Sequence, residues 1–194
     1  SYGNFYDSKI SHKAYVPMTQ KPELTNRKSI YDGQIINVKV DMLSLPNGHK
    51  VERELVQKSN AVVMVPIDNN DNVLLVRQWR QPADQALLEA PAGTIDGDES
   101  ADDCAQRELQ EEIGYASRNL RALGGFWTTP GFCDEFMFVY LARDLVESKL
   151  PEDLDEDIQV EHIPLSRIPQ LIRLGEIIDA KTIAALLMSI HLYS

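Results

Sequence analysis

The chain is 194 residues long and 43% apolar, with a formal net charge of −11. That length holds one sizeable core, or one domain with a small appendage, and the apolar share excludes global disorder. Such an anionic chain is a poor candidate for gripping DNA or RNA by neutralising phosphates, although a phosphate-bearing small molecule can still bind through cations.

Residues 1–28 mix Pro17 and Pro22 with several Tyr and Lys residues, and are expected to form an extended, partly mobile arm. From Ile30 to Val56 the pattern changes to strands, marked by Ile35, Ile36, Val38, Val40 and Leu43. Pro46-Asn47-Gly48 is a hairpin turn, because Asn-Gly accepts the positive φ of tight turns, and a strand follows near Val51–Gln57. Residues 29–57 are thus expected to be a small N-terminal sheet, and 58–194 the main domain. There the apolar runs Ala61–Ile67 and Val73–Val76, split by a turn at Asp68–Asn72, predict a strand pair central in a sheet. A short strand Leu87–Ala90 ends at Pro91, and Gly93–Asp98 reads as a loop. Ser100–Ile113 is a helix, stopped by Gly114 and carrying Ala101, Ala105, Leu109 and Ile113 on one face. Phe136, Phe138 and Tyr140 alternate as a strand, and Asp153–Asp157 is an acidic loop. Two helices, Ile168–Leu174 and Lys181–Leu192, close the chain, with Asp179 as cap of the second. Strands on both sides of a helix imply a mixed α/β sandwich.

Cys104 and Cys133 form neither a dense framework nor a CxxC pair, and read as thiols of a reducing compartment. With no long apolar span and no signal-peptide pattern, a cytoplasmic protein is expected, with no membrane partner. The four histidines, at 12, 49, 162 and 191, lack metal-ligand spacing.

The chemistry lies on the helix after Gly93. Glu108 and Glu112 are one turn apart, and Glu111 joins them three residues from Glu108. Like charges at that spacing cost a few tenths of a kcal/mol per pair, so they need a cation or solvent. Most acidic helix faces are simply solvated. Hard oxygen donors are also what Mg²⁺ takes beside substrate phosphates, and Arg107 is placed to orient carboxylates.

The order of residues decides between these readings. Gly93, Glu99 and the run Arg107-Glu108-Leu109-Gln110-Glu111-Glu112-Ile113-Gly114-Tyr115 resemble the Nudix hydrolase box at its family spacing. The one soft departure is Tyr115, where an aliphatic residue is usual. The resemblance implies an α/β/α sandwich with a mixed sheet, plus an N-terminal antiparallel sheet used in dimerisation. It also implies Mg²⁺, with Mn²⁺ as substitute, held by Glu108, Glu111 and Glu112 and the carbonyl of Ala92. Arg107 would orient those carboxylates, and Glu99 would support them.

Features outside the box resemble the ADP-ribose pyrophosphatase group: Leu88-Glu89-Ala90-Pro91-Ala92-Gly93, Thr129-Pro130-Gly131-Phe132 and Asp179-Ala180-Lys181-Thr182. Pro130 marks ADP-ribose-type substrates. The late acidic loop makes Glu156 the first choice for a further metal ligand or the general base, with Glu152, Asp155 and Asp157 as neighbours able to exchange roles. Glu135 is second choice for catalytic support. Arg80 resembles the family's phosphate-side arginine. Arg53 belongs to the sheet that reaches the partner subunit's pocket. Tyr31, Phe126 and Trp127 are stacking partners for a base or, equally, core aromatics. The implied reaction is hydrolysis of ADP-ribose to AMP and ribose 5-phosphate by a homodimer. The alternatives are another nucleotide sugar, such as ADP-hexose or GDP-hexose, or a nucleotide-binding protein without turnover. An RNA substrate is disfavoured because no basic tract is present.

Overall fold

A computed structural model describes residues 20–151 and 158–193. They fall into two compact units, residues 20–59 with Trp127–Glu135, and Asn60–Phe126 with residues 136–151 and 158–193.

The first unit is a three-stranded antiparallel sheet of β1 (Glu23–Asp32), β2 (Ile36–Ser44) and β3 (Lys50–Lys58), in that order. The expected Asn-Gly hairpin joins β2 to β3. Gly48 has φ +83°, and the His49 amide donates to Asn47 Oδ1 at 3.1 Å. The strand before it begins at Glu23, inside the stretch read as an arm; residues 1–19 lie outside the described residues. Sequence hid it because its polar residues show no alternation. Its register rests on main-chain pairing and on Arg27, which grips Asp41 through Nε and Nη2 at 2.6 Å each. The segment Trp127–Glu135 is tied to the end of β3. The Val56 amide donates to the Phe132 carbonyl at 2.7 Å, and the Lys58 amide to Asp134 Oδ1 at 2.9 Å.

The second unit holds two sheets. In chain order its elements are β4 (Ala61–Pro66), β5 (Asn72–Arg80), β6 (Gln85–Glu89), β7 (Ala92–Thr94), α1 (Ala101–Glu112), β8 (Tyr115–Trp127), β9 (Phe136–Glu147), β10 (Gln159–Pro164), α2 (Ile168–Leu174) and α3 (Ala180–Tyr193). The mixed sheet runs β7-β4-β9-β8, with β4 parallel to β9 and antiparallel to β7. The other runs β10-β5-β6 and is antiparallel. The expected β4–β5 pair is therefore corrected: each strand is central, but in a different sheet, and only an isolated bridge, Ile67 to Val73, links their ends. The physical reason is that β4 is buried along its whole length and needs cover on both faces. Val62 and Met64 pack with Cys104, Ala105 and Leu109 of α1. Val63 and Val65 face the opposite core, with Ile168 and Leu171 of α2 and Ala185 and Leu186 of α3. Helices thus cover both sides of this α/β unit.

The expected loop after Pro91 contains β7, a strand too short to show a period. The ends of α1 follow the sequence. Ser100 Oγ accepts from the Asp103 amide at 3.1 Å and donates to Asp103 Oδ2 at 2.6 Å. Gly114, at φ +76°, takes the left-handed conformation that stops the helix. Among the described residues, no helix is long and apolar enough to cross a membrane.

Candidate functional site

Leu109, Ala105 and Cys104 bury one side of α1, which turns Arg107, Glu108 and Glu111 to the other. Arg107 is the hub. Its Nε and Nη2 hold the two oxygens of Glu99 at 3.0 Å each, and Nη1 reaches Glu108 Oε1 at 2.7 Å and Glu111 Oε2 at 2.8 Å. Nη2 also donates to the Thr94 carbonyl at 3.3 Å. One guanidinium thus gathers three carboxylates from the box, the planar fork geometry that arginine suits. Its hydrogen bond holds the Glu99 carboxyl below the usual carboxylate range, and the same contacts raise the Arg107 pKa.

Glu112 lies apart from this hub, buried, with Oε2 accepting from the Ala92 amide at 3.1 Å. Gly93, beside Ala92 on β7, leaves the space into which Glu108 fits. Among the described residues no three His, Cys, Asp or Glu side chains form a ready-made metal cluster. The donor set nonetheless suits a hard divalent cation: carboxylate oxygens from one helix face, beside a glycine that admits close approach. Cys104 takes no such part. Burial pushes its thiol up to about 12, and Sγ donates to the Thr94 carbonyl.

A second charged cluster stands at the end of β6. Glu89 is 1% exposed. Arg80 grips it through Nε and Nη2 at 2.8 Å each, and Lys181 Nζ donates to it as well. Burial alone would raise the Glu89 carboxyl, but the Arg80 hydrogen bonds and the Lys181 charge bring it below its ordinary value. Lys181 also reaches Asp179 Oδ2 at 3.0 Å. Arg80, expected at the phosphates, is thus engaged with Glu89, and neither Glu89 nor Lys181 is marked for a role by sequence. The available signal was a lone carboxylate ending an apolar strand.

Phe126 is half-buried against the core of the second unit, and the remaining expected residues fall in the N-terminal unit or outside the described residues. Glu135 is buried and pairs with Lys58. Arg53 donates through Nη1 to the Glu52 carbonyl at 2.9 Å and lines a cavity of about 390 Å³ with Val40, Glu54 and Phe132. Tyr31 and Trp127 are exposed. Pro130 sits in a turn closed by the Phe132 and Cys133 amides on the Thr129 carbonyl. Glu156 and its acidic neighbours lie outside the described residues.

A family model described as the NUDIX domain matches residues 57–186. The chain is 35% identical over 162 residues to an ADP-ribose pyrophosphatase of Bacillus subtilis (strain 168), covering 82% of this chain and 88% of that protein. It is 34% identical over 160 residues to a methanol dehydrogenase activator of Bacillus methanolicus, covering 81% and 86%. A crystal structure of an ADP compounds hydrolase matches with a TM-score of 0.83 at 27% identity, over 90% of this chain and 95% of that one.

Proposed function

The chain belongs to the NUDIX family and is a pyrophosphohydrolase of nucleotide or nucleotide-sugar diphosphates, and from that premise we propose that its substrate is ADP-ribose, cleaved to AMP and ribose 5-phosphate. The observation that carries the pyrophosphohydrolase chemistry is the Arg107 hub, which gathers Glu99, Glu108 and Glu111 while Glu112 is held on the Ala92 amide, and the 35% identity to an ADP-ribose pyrophosphatase supports the choice of substrate.

Mg²⁺, with Mn²⁺ as substitute, would be held by Glu108, Glu111 and Glu112, with the Ala92 carbonyl and Glu156 completing the donors. Such a cation neutralises the pyrophosphate and lowers the pKa of a bound water. The chain's own part is to place these carboxylates. Arg107 keeps Glu108 and Glu111 side by side against their repulsion, and Glu99 in turn fixes Arg107. Glu111, Glu135 and Glu156 are the proposed groups for moving the proton from water. Arg80 spends Nε and Nη2 on Glu89, so its Nη1 edge is the one proposed to meet phosphate.

Arg53, Tyr31, Trp127 and Pro130 are proposed to recognise the adenosine side. All four belong to the N-terminal unit, apart in sequence from the box, so the box leaves the choice of base open. We propose a homodimer built on that sheet. Every residue of β1 is exposed, Leu24, Ile30 and Tyr31 among them, and a sheet edge with apolar cover to offer is suited to pairing with a second copy. The free thiols of Cys104 and Cys133 support a cytoplasmic setting.

The test is a product panel: ADP-ribose, ADP-hexose and GDP-hexose, with Mg²⁺ in ¹⁸O-water. ADP-ribose should be cleaved fastest, and the label in AMP or in ribose 5-phosphate locates the attacked phosphorus. Faster cleavage of a hexose substrate would replace ADP-ribose as the substrate. A nucleotide-binding protein without turnover would leave the whole panel intact.

A further inference from the structure

We propose that Thr182, on the first turn of α3, is a positioning residue for the metal-side carboxylates, acting through the strap Ala90–Ala92. The inference rests on the function proposed above and assigns a role to a residue of α3, outside the box.

The strap is where the chain leaves one sheet for the other. β6 ends at Glu89 in the antiparallel sheet, and β7 begins at Ala92 in the mixed sheet. Main-chain groups at such a crossing have no ladder to join, yet Ala90 is fully buried and its N–H needs a partner. Pro91 has no N–H, and its carbonyl accepts from the Met64 amide at 2.8 Å. The Ala90 amide donates to Thr182 Oγ1 at 2.8 Å, across 92 positions of sequence.

The direction of that bond is fixed by Asp179. Its Oδ2 accepts from the Thr182 hydroxyl at 2.5 Å, from the Thr182 amide at 2.9 Å and from Lys181 Nζ at 3.0 Å. A carboxylate only accepts, so the hydroxyl proton is committed to Asp179 and the hydroxyl oxygen is left to receive Ala90. Lys181, the preceding residue, meanwhile donates to Glu89, which precedes Ala90. Two consecutive residues of α3 thus hold two consecutive residues of the strap. Two positions further on, the Ala92 amide meets Glu112 Oε2 at 3.1 Å. The relay runs from Asp179 through the Thr182 hydroxyl and the strap to the carboxylate proposed to hold metal.

Thr182→Val keeps the shape and removes the hydroxyl, whereas Thr182→Ser restores it. Mn²⁺ binding to the full chain, followed by electron paramagnetic resonance without substrate, should weaken about 10- to 100-fold in Thr182→Val and stay near the parent in Thr182→Ser. With ADP-ribose, kcat should fall for Thr182→Val while KM changes little. If Thr182→Val does not fold, Thr182→Ala repeats the test, since it too removes the hydroxyl that receives the Ala90 amide. Parent-like Mn²⁺ affinity in folded Thr182→Val, or in Thr182→Ala where that variant stands in, overturns the relay. Absence of ADP-ribose turnover by a parent chain that binds Mn²⁺ overturns the substrate reading instead.

Discussion

Gly93 lies so close to Glu108 that a Cβ built on it would stand 1.9 Å from the carboxylate Oε1. No real side chain tolerates that approach, so Gly93→Ala displaces Glu108. The glutamate is flexible and the backbone need not move, which separates function from folding here. Misplacing a positioned group by about 1 Å costs on the order of 100-fold in rate. Gly93→Ala is therefore expected to lower kcat by about that factor. Its melting temperature should stay close to the parent's, as checked by steady-state kinetics beside a thermal unfolding curve.

Arg107 is predicted to be irreplaceable even by another cation. Its fork serves Glu99, Glu108 and Glu111 at once, through four hydrogen bonds of 2.7 to 3.0 Å. Lysine keeps the charge but offers one nitrogen in place of three. Arg107→Lys should lose about 10- to 100-fold in activity and need more Mg²⁺ for half-maximal rate. A magnesium titration of kcat measures both effects. Chelation of divalent metal should abolish turnover in parent and variant alike, with Mn²⁺ restoring it.

These two predictions draw on the part of the molecule that was legible in the sequence. The 3.6-residue period of Ala101, Ala105, Leu109 and Ile113 gave α1, and Gly114 gave its end. The carboxylate pattern on the far side then followed from helical geometry alone. Other elements left no such trace. β8 was missed because Arg118, Asn119 and Arg121 are exposed and Gly124 and Gly125 interrupt it, so no alternation survives. β10 is six residues of mixed polarity whose partner, β5, lies more than eighty positions away. The separation of β4 from β5 was illegible for a different reason. Two adjacent apolar runs read alike whether they pair with each other or with strands elsewhere. The same holds for Arg80, whose carboxylate partner Glu89 sits nine positions on, and for Lys181, which reaches that carboxylate from 92 positions away.

Glu89 gives the stability of the second unit a pH dependence with a definite sign. Its ordinary value is 4.5, and in the folded chain Arg80 and Lys181 hold it lower despite burial. The stabilisation from its charge is thus complete above about pH 4.5 and is lost as pH falls through the folded value. Glu89→Gln leaves Arg80 and Lys181 facing a neutral amide in a buried place, which should cost about 3 kcal/mol at pH 7. Protonated Glu89 resembles glutamine, so the gap between parent and variant should narrow as the pH drops below 4.5. Denaturant unfolding at pH 7 and at acid pH checks this. A gap that stays constant with pH would mean that the charge of Glu89 contributes nothing.

Asp134 should control substrate affinity rather than turnover. Its Oδ1 accepts from the Lys58 amide at 2.9 Å, and its own amide donates to the Val56 carbonyl at 3.2 Å. With the Val56 amide on the Phe132 carbonyl, these bonds fasten the segment carrying Pro130 and Phe132 to the end of β3, the strand that also carries Arg53. Asp134→Ala leaves the Lys58 amide without that acceptor and releases the segment, whereas Asp134→Asn keeps an oxygen in place. Ordering a freed loop again on binding costs affinity, and about 1.4 kcal/mol of it is a tenfold change. Asp134→Ala is accordingly expected to raise KM for ADP-ribose about tenfold with kcat little changed. Amide hydrogen exchange at Val56 and Lys58 should quicken in parallel, since both amides lose their hold when the segment opens. Asp134→Asn should behave like the parent in both measurements. A fall in kcat at constant KM would instead place Asp134 with the groups that move the proton, beside its neighbour Glu135.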